Sequence, residues 1–331
     1  MKPINVYSFF DGISCGQLAL KKAGVKVNTY HASEICKWAI KVTKKNFPST
    51  LQMGDITKLE DWRLKLIRDE IGIDLVIGGS PCQDLSFAGK GKGLQKGTRS
   101  SLFFEFVKCL KILSPKYFLL ENVRMSKTNQ DIISDLLGVE PMVINSNKLS
   151  PQSRHRLYWF NWDVKQPEDK GLILSDILQP PEEVDKKYLA GAKLLANYQG
   201  GNQLNSSYKS QANTIHNINK PGPTISAGTH GYASGYVKAG AFRGRYNKDG
   251  TTSQQLEIRK DNKSNALTSV QKDNVVVSDN SIRKLTPIEY ARLQTVPDNY
   301  CDGVSDTQKY KQLGNGMTVD VIAHILKGIT V

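Results

Sequence analysis

Hydrophobic residues along the chain fall into short continuous runs, separated by longer segments of helical composition. The runs at residues 4–9, 74–77 and 116–120 have the length and content of buried strands. Two segments between them, residues 17–23 and 102–113, have helical composition, and the second ends at a Ser-Pro pair. This alternation of strands and helices predicts an α/β domain with a mainly parallel sheet.

The composition changes twice along the chain. Residues 1–163 carry the alternating pattern, whereas residues 164–280 are rich in Gly, Asn, Ser, Thr and Gln, which predicts a smaller, irregular β-rich domain. Residues 281–331 are apolar again and include a helix start at Thr286 with Glu289 three residues later, the pattern of a capping box. We expect this last segment to return to the first domain.

Charge and cysteine content narrow the class of protein. The 331 residues include 45 Lys and Arg against 31 Asp and Glu, a net charge of +14, which favours a polyanionic partner, although solubility alone is an alternative. The five cysteines are scattered without a C-x-x-C pair, so neither a disulfide framework nor a metal site is expected. No targeting segment or membrane-spanning run is found, and we expect a cytoplasmic protein.

One cysteine stands out at the end of a predicted strand. Gly78 and Gly79 allow a sharp turn at the carboxyl end of that strand, where open α/β sheets bind their ligands. Pro81 fixes its own φ angle and restricts Ser80, which gives the thiol of Cys82 a defined direction. A lone cysteine is more often a small buried hydrophobe, but this frame favours a nucleophile.

The turn after the first strand predicts a nucleoside site. In residues 10–16, Ser14 and Cys15 stand where a dinucleotide fingerprint has its later glycines, and no Walker lysine is present. Glu34 follows about 20 residues after the turn, where related folds bind ribose hydroxyls. A nucleoside ligand without a pyrophosphate fits this pattern, and S-adenosyl-L-methionine is such a ligand.

Polar residues at two other positions are candidates for the same crevice. Glu121 follows a buried strand, so it is either a carboxylate that faces the crevice or a cap of the next turn. Gln152, Arg154 and Arg156 alternate with other residues, which places their side chains on one face of a strand. The arginines could stabilise charge on a substrate carbonyl or phosphate, or form an ion-paired outer face.

Four further segments leave alternatives open. Asp55 either accepts a hydrogen bond from an adenine amino group or caps the turn before Thr57. The glycine- and lysine-rich residues 85–101 form either a lid over a phosphate backbone or a solvated linker. Aromatic and arginine side chains mix in residues 232–246, as in base-reading surfaces or an ordinary polar surface. Residues 312–322 predict a glycine turn that leads into an apolar helix.

Together these segments closely resemble the motifs of the cytosine-5 DNA methyltransferase family, in the same order. The resemblance covers nearly the whole chain except about residues 164–280. The matching motifs are FDGISCG at residues 10–16, GSPCQ at 79–83, ENV at 121–123, QSRHR at 152–156 and LGNG at 313–316. Some of them look especially like the animal de novo enzymes, although the short chain suggests a prokaryotic or phage enzyme.

The resemblance implies a fold, a reaction and partners. The fold is a Rossmann-like methyltransferase sheet with a smaller target-recognition domain, S-adenosyl-L-methionine is the methyl donor, and double-stranded DNA is the substrate. Cys82 attacks carbon 6 of a cytosine that has left the duplex, which activates carbon 5 for methylation. Glu121 holds ring nitrogen 3 and the exocyclic amine, while Arg156, supported by Arg154, binds the carbonyl oxygen. The resemblance leaves open whether a companion restriction endonuclease exists.

The resemblance also implies a cofactor pocket. Phe10 packs on the adenine, Glu34 binds the ribose, and Asp55 with Ile56 meets the adenine edge. The remaining implied pocket residues are Gly12, Ile13, Leu102, Asn315 and Met317. Ile35 departs from many relatives, which carry an aromatic residue there.

Three rival functions stay open from the sequence. A methyltransferase of the same architecture that acts on a tRNA cytosine would need the same catalytic set. A catalytically silent DNA-binding homologue is a second rival, against which the intact Cys82, Glu121 and arginines count. A cysteine hydrolase would need a histidine base, but no recognisable partner motif contains any of His31, His155, His216, His230 and His324.

Overall fold

The computed structural model describes residues 2–81, 102–188, 238–246, 252–268, 274–278 and 281–329. Its largest sheet has seven strands. They are β1 (Ile4–Phe9), β2 (Val27–Ser33), β3 (Leu51–Gln52), β4 (Leu75–Gly78), β5 (Tyr117–Val123), β6 (Met142–Asn145) and β8 (His155–Phe160), in the order β3-β2-β1-β4-β5-β8-β6. A two-residue strand, β7 (Gln152–Ser153), lies between β6 and β8 in sequence and pairs outside this sheet.

Strand direction within the large sheet follows the predicted alternation over its first five strands. β1 pairs in parallel with β2 and β4, and β4 pairs in parallel with β5. All four residues of β4 are buried, as expected for a strand covered on both faces. β8 runs antiparallel to β5, and β6 runs antiparallel to β8. The predicted strands and the α/β class are therefore confirmed.

Helices cover both faces of the large sheet. The helices are α1 (Cys15–Ala23), α2 (Lys37–Asn46), α3 (Asp61–Glu70), α4 (Leu102–Leu113), α5 (Lys127–Leu137), α6 (Pro287–Leu293), α7 (Asp306–Asn315) and α8 (Val319–Leu326). Successive strand residues point to opposite faces, so Val6 packs into one hydrophobic cluster and Tyr7 into the other. The first cluster includes residues of α1, α2 and α6 to α8, and the second includes residues of α3 to α5.

Two helices form for the local reasons that the sequence indicated. α4 has the predicted bounds and buries Phe103 and Phe106 against the sheet. At the start of α6 the capping box is present: Glu289 N donates to Thr286 Oγ1 at 3.2 Å, and Thr286 N donates to Glu289 Oε2 at 2.8 Å. The fully buried Glu289 is also paired with Arg283 at 2.7 Å, which compensates for its loss of water. α8 contributes residues to the first cluster, together with α1.

The prediction of one strand through residues 152–156 is wrong. β7 pairs with β11 (Ser264–Asn265), whereas β8 pairs with β5 and β6. The chain thus changes partners at Arg154, whose backbone N donates to Asn145 Oδ1 at 2.9 Å. Pairing with distant segments, which no local pattern encodes, divides the expected strand in two.

The glycine turn predicted within residues 312–322 comes later in that range than its first glycine. α7 continues through Gly314 to Asn315, and Gly316 N donates to Gln312 O at 2.8 Å. The turn comes after Gly316 and leads to α8. A helical hydrogen bond is available to glycine as to other residues, so its lower helix propensity is outweighed here by burial of the neighbouring Leu313.

A smaller antiparallel sheet is formed by β9 (Lys238–Tyr246), β10 (Thr252–Ile258), β12 (Asn274–Ser278) and β13 (Ser281–Lys284), in the order β10-β9-β12-β13. The parallel pair of β7 with β11 joins this part of the chain to the large domain. Tyr232 and Tyr236, which belong to the predicted base-reading group, lie outside the described residues. In the part of the chain that the structure describes, no helix has the length and apolarity to cross a membrane.

Acid should destabilise this fold through His31. This side chain is 3% exposed, and its Nδ1 has no hydrogen-bond partner among the described residues. Burial lowers the pKa of His31, so the unfolded chain binds a proton there more readily than the folded chain does. The stability that neutral His31 permits is present above the unfolded pKa, about 6.5, and is lost as pH falls towards the folded pKa.

We expect His31→Gln to lose less unfolding free energy than the unmodified chain between about pH 8 and about pH 5.5, measured by urea denaturation. Burial raises the pKa of Asp11 to about 6, and this shift has the opposite sign: its stabilisation is lost as pH rises through that value. Asp11 is common to both chains, so their difference isolates His31. Equal losses in the two chains would contradict the assignment.

Candidate active site

The ends of β4 and β5 form the floor of a crevice at one edge of the sheet. A Cβ atom on Gly78 would lie 2.5 Å from Phe106 Cε2, a core ring that has no room to move. A Cβ on Gly79 would lie 3.0 Å from Met317 Cε and 3.6 Å from Glu121 Oε2. The two glycines therefore let the backbone pass close to the core on one side and to Met317 and Glu121 on the other.

Asn122 fixes the backbone that leads to the predicted nucleophile. Its side chain is 1% exposed, and its Nδ2 donates to Ser80 Oγ at 3.0 Å and to Ser80 O at 3.4 Å. Its Oδ1 accepts a hydrogen bond from Val123 N at 2.8 Å. Pro81 ends this described stretch, and Cys82 lies outside the described residues. The sequence drew attention to Glu121 but not to this neighbour; its signal was a polar residue at a position that alternation places on the opposite, buried face.

Glu121 and Arg156 form an ion pair at the edge of the crevice. Arg156 Nε lies 3.1 Å from Glu121 Oε1, and the two side chains are only 15% and 13% exposed. Strand register explains the pairing, because Glu121 is opposite Tyr158 and Arg156 is its diagonal neighbour on the same face. Burial raises the pKa of the Tyr158 hydroxyl far above its ordinary value, so this neighbour stays neutral.

Arg154 is placed differently from Arg156. Its guanidinium is buried and donates to the carbonyl oxygens of Gly314, at 3.1 Å from both Nη1 and Nη2, and of Gly316 at 3.0 Å. Nη1 also donates to Leu267 O at 3.1 Å. Burial, and then the charge of Arg156, lowers its pKa to about 10. Arg154 therefore connects three distant segments through backbone carbonyls.

The turn after β1 has a compact, constrained backbone. Phe10, Gly12 and Ser14 have φ angles of 57°, 58° and 62°, a left-handed conformation that is costly for the two residues with side chains. The buried carboxylate of Asp11 supports the turn by accepting hydrogen bonds from Ser14 Oγ at 2.7 Å and from Tyr30 Oη at 2.8 Å. The sequence did not single out Asp11, because its partners become apparent only when the turn is folded.

Glu34 is held at this turn by three backbone N–H groups. Gly12 N donates to Oε2 at 2.7 Å, and Ile35 N and Cys36 N each donate to Oε1 at 2.8 Å. An ionised carboxylate offers about four lone-pair sites, two on each oxygen, so the acceptor capacity left for a ligand hydroxyl lies on Oε2. Ile35, next in sequence, is 74% exposed, which is unusual for a large apolar side chain. The arrangement fits a ribose at Glu34 with the flat face of its base beside Ile35.

Three other predicted cofactor residues belong to the second hydrophobic cluster or pack against it, and a fourth, Asp55, caps a turn. Ile56 is buried in the second cluster, and Phe10 and Leu102 pack against that cluster. Asp55 Oδ1 accepts from Thr57 N at 2.9 Å and from Thr57 Oγ1 at 2.8 Å, so its capping role is present.

The remaining three predicted cofactor residues differ in their exposure. Ile13 is 1% exposed, and its carbonyl accepts from Tyr300 Oη at 2.7 Å, so its backbone rather than its side chain faces the turn. Asn315, at the end of α7, is exposed. Met317 is half-buried beside Gly79.

The structure thus brings the predicted residues together in two groups. Glu121, Arg156 and Met317 meet around Gly79, and Gly12 meets Glu34 at the turn after β1. An α/β sheet with a nucleoside-type turn and a partly buried acid–base pair at its carboxyl edge defines a protein of the Rossmann-like transferase class. Among the described residues, no cluster of three or more His, Cys, Asp or Glu is arranged to hold a metal ion.

Comparison with known proteins identifies the family. The model of the C-5 cytosine-specific DNA methylase family matches residues 4–330. Type II methyltransferase M1.ScrFI of Lactococcus lactis subsp. cremoris is 32% identical over 319 residues, which cover 90% of this chain and 70% of the relative. Type II methyltransferase M.NlaX of Neisseria lactamica is 30% identical over 338 residues, with 97% and 94% covered. A solved DNMT2 mutant from Spodoptera frugiperda has a TM-score of 0.66 at 20% identity, with 98% of both chains covered.

The chain belongs to the C-5 cytosine-specific DNA methylase family, and it is a DNA cytosine methyltransferase. The predicted family and enzyme class are confirmed. Members of this family are methyltransferases that depend on S-adenosyl-L-methionine, and their substrate is DNA. The solved structure, at low identity, supports the fold alone.

Arg154→Lys should destabilise the protein by about 2–4 kcal/mol, because a lysine cannot reproduce the fork that serves three carbonyl oxygens in a buried position. Urea denaturation at neutral pH measures the loss. The control is Arg63→Lys on the exposed side of α3, for which a change within about 0.5 kcal/mol is expected. Equal stability of the two variants would show that the Arg154 contacts contribute little.

Proposed function

We propose that this protein transfers a methyl group from S-adenosyl-L-methionine to carbon 5 of a cytosine in duplex DNA, through a covalent bond between Cys82 and carbon 6. The observation that carries the proposal is the Glu121–Arg156 ion pair at the carboxyl edge of the sheet. Glu121 lies on β5, which pairs with β4, the strand that leads to Pro81. Family membership supports the reaction class.

The Glu121–Arg156 pair is complementary to the Watson–Crick edge of cytosine. That edge presents an amino donor, a ring-nitrogen acceptor and a carbonyl acceptor in a row. Glu121 accepts from the amino group and, when protonated, donates to ring nitrogen 3, while Arg156 donates to the carbonyl oxygen. Withdrawal of electrons towards nitrogen 3 and the oxygen makes carbon 6 more electrophilic. Arg154 acts behind them by holding the carboxyl end of α7 at Gly314 and the turn at Gly316.

Cys82 supplies the nucleophile in this proposal. Its thiolate forms a bond to carbon 6, and the electrons of the carbon 5–carbon 6 double bond become available at carbon 5. Carbon 5 then forms a bond to the methyl carbon as the sulfonium–methyl bond breaks and its electrons remain on the departing sulfur. Loss of the carbon 5 proton to a base restores the double bond, and the Cys82 thiolate leaves. Asn122 holds Ser80 so that the turn before Cys82 stays in position.

The residues around the first turn fit the methyl donor. S-adenosyl-L-methionine supplies an electrophilic methyl group on a charged sulfur. Glu34 accepts a hydrogen bond from a ribose hydroxyl, Phe10 and Ile35 pack on the adenine, and the backbone of Gly12 and Ile13 approaches the ligand. Asp55 and Ile56 meet the adenine edge, and Leu102, Asn315 and Met317 complete the pocket.

A cytosine reaches this crevice only after it leaves the base stack, because carbon 6 is not accessible inside a duplex. The net charge of +14 favours binding of the DNA backbone. We propose that residues 164–280 form the target-recognition domain. We also propose that the enzyme modifies DNA in the cytoplasm of a bacterial or phage-infected cell. Bisulfite sequencing of DNA from cells that express the protein would identify the modified cytosine and its sequence context.

Cys82→Ala should abolish transfer of labelled methyl groups to duplex DNA, with a fall of at least about 10³-fold, because it removes the thiolate that bonds to carbon 6 in the proposed mechanism. The variant should still bind DNA and the methyl donor. The control is Cys109→Ala in α4, which removes a buried thiol from the core and should keep transfer activity. Full transfer by Cys82→Ala would overturn the covalent mechanism, and transfer to tRNA but not to duplex DNA would overturn the proposed substrate.

Glu34→Gln should weaken binding of S-adenosyl-L-methionine by about tenfold or more, which corresponds to about 1.4 kcal/mol. The amide oxygen can accept from only one side, so its NH2 group faces either Gly12 N–H or the N–H groups of Ile35 and Cys36, which are donors themselves. Isothermal titration calorimetry measures the affinity. Glu60→Gln, at an exposed residue that accepts from Trp62 Nε1, is the matched control. An unchanged affinity for the Glu34 variant would place the ribose elsewhere.

A further inference from the structure

Two basic side chains outside the catalytic pair lie near each other at the same edge of the sheet. Val123, the last residue of β5, is opposite Arg156 in the antiparallel register of β5 and β8, and Arg124 and His155 are the next residues at that end of the two segments. The positive charge of Arg124 acts on the imidazole of His155, which agrees with this placement. Alternation along β8 places His155 on the face opposite Arg156.

This pair is accessible and carries charge that is not neutralised nearby. Arg124 and His155 are both exposed, and within the described ranges neither side chain has a hydrogen-bond or ion-pair partner. By contrast, Arg156 is paired with Glu121.

A third basic residue lies beside them and is paired. Arg259 Nη1 donates to Asn265 Oδ1 at 3.0 Å, and Asn265 is opposite Ser153 in the β7–β11 pair. Asp261 accepts from Arg259 through both carboxylate oxygens. On the other side of β8, Asn145 is opposite His155, but its Oδ1 is occupied by Arg154 N.

We propose that Arg124 and His155 together bind a backbone phosphate of the DNA strand that carries the target cytosine. This inference rests on the proposed function, which places the Watson–Crick edge of the cytosine against Glu121 and Arg156. Arg124 follows Glu121 by three residues, roughly 10 Å along the strand direction, and His155 is next to Arg156 in the sequence. An arginine fork and an imidazole N–H are both donors that suit phosphate oxygens.

The same geometry couples DNA binding to pH. Partial burial, and then the positive charges of Arg124, Arg156 and Arg259, lower the pKa of His155 in the free protein. A phosphate between His155 and Arg124 adds negative charge and raises that pKa, so DNA binding is accompanied by uptake of a proton. DNA affinity should therefore increase as pH falls from about 8 to about 6, and His155 should account for part of the increase.

Fluorescence anisotropy with a mixed-sequence DNA duplex tests the site without knowledge of the recognition sequence, because phosphate contacts are largely independent of sequence. Arg124→Gln should raise the Kd about five- to tenfold and reduce the slope of log Kd against log salt by roughly one. The charge-matched control is Lys111→Gln, at an exposed position near the far end of α4, for which a smaller change, below about twofold, is expected. Thermal unfolding of each variant confirms that the fold is intact.

His155→Gln tests the protonation. At about pH 8 its Kd should equal that of the unmodified protein within about twofold, whereas at about pH 6 it should bind DNA about three- to tenfold more weakly. Equal effects of Arg124→Gln and Lys111→Gln, or a His155→Gln variant that keeps the full pH dependence, would overturn the proposal. Binding of tRNA but not of duplex DNA, weakened by substitution of Arg124 or His155, would also overturn the proposal.

These outcomes are distinct from failure of the proposed function. If the unmodified protein binds duplex DNA through Arg124 and His155 but transfers no methyl group to it, the reaction is wrong and the phosphate site stands. If methyl transfer to duplex DNA depends on Cys82 while neither Arg124→Gln nor His155→Gln changes DNA affinity as described, the reaction stands and the phosphate site is wrong.

Discussion

The antiparallel pairing of β8 with β5 is the constraint on which the site depends. β1, β4 and β5 are parallel and end at one edge of the sheet, so a further parallel strand would bring only its last residues to that edge. β8 runs in the opposite direction and brings its first residues there. This reversal allows Arg156, near the start of β8, to meet Glu121, near the end of β5, while both strands keep their apolar residues in the core.

Sequence patterns predicted the parts of the molecule that local interactions determine. The strand before Gly78, the bounds of α4 and the capping box at Thr286 follow from apolar runs, a Ser-Pro stop and a hydrogen-bonding pair three residues apart. The position of the site at this edge of the sheet was also predictable from the sequence, because the carboxyl ends of parallel strands meet there. Motifs shared with a known family then related Glu121 and Arg156 to one reaction.

The parts that the sequence did not predict depend on contacts between distant residues. Arg154 was expected to act beside Arg156, yet its donors bind carbonyl oxygens of Leu267, Gly314 and Gly316, more than one hundred residues away. The break between β7 and β8 has the same cause, since the two strands pair with different partners. Hydrophobic spacing contains no information about which carbonyl groups a buried guanidinium will reach.

The contacts of Arg154 and α8 have a consequence for the order of folding during synthesis. α8 packs on α1, and Lys22 Nζ lies 2.6 Å from Asp320 Oδ1, so the apolar face of α1 stays uncovered until residues near 320 have been made. Until then the guanidinium of Arg154 also lacks the carbonyl groups of Gly314 and Gly316. The first half of the sheet can pair its strands early, but one of its two faces is completed only by the last part of the described chain. Ribosome-bound intermediates should therefore expose this face for most of translation, and the smaller sheet is synthesised within that interval.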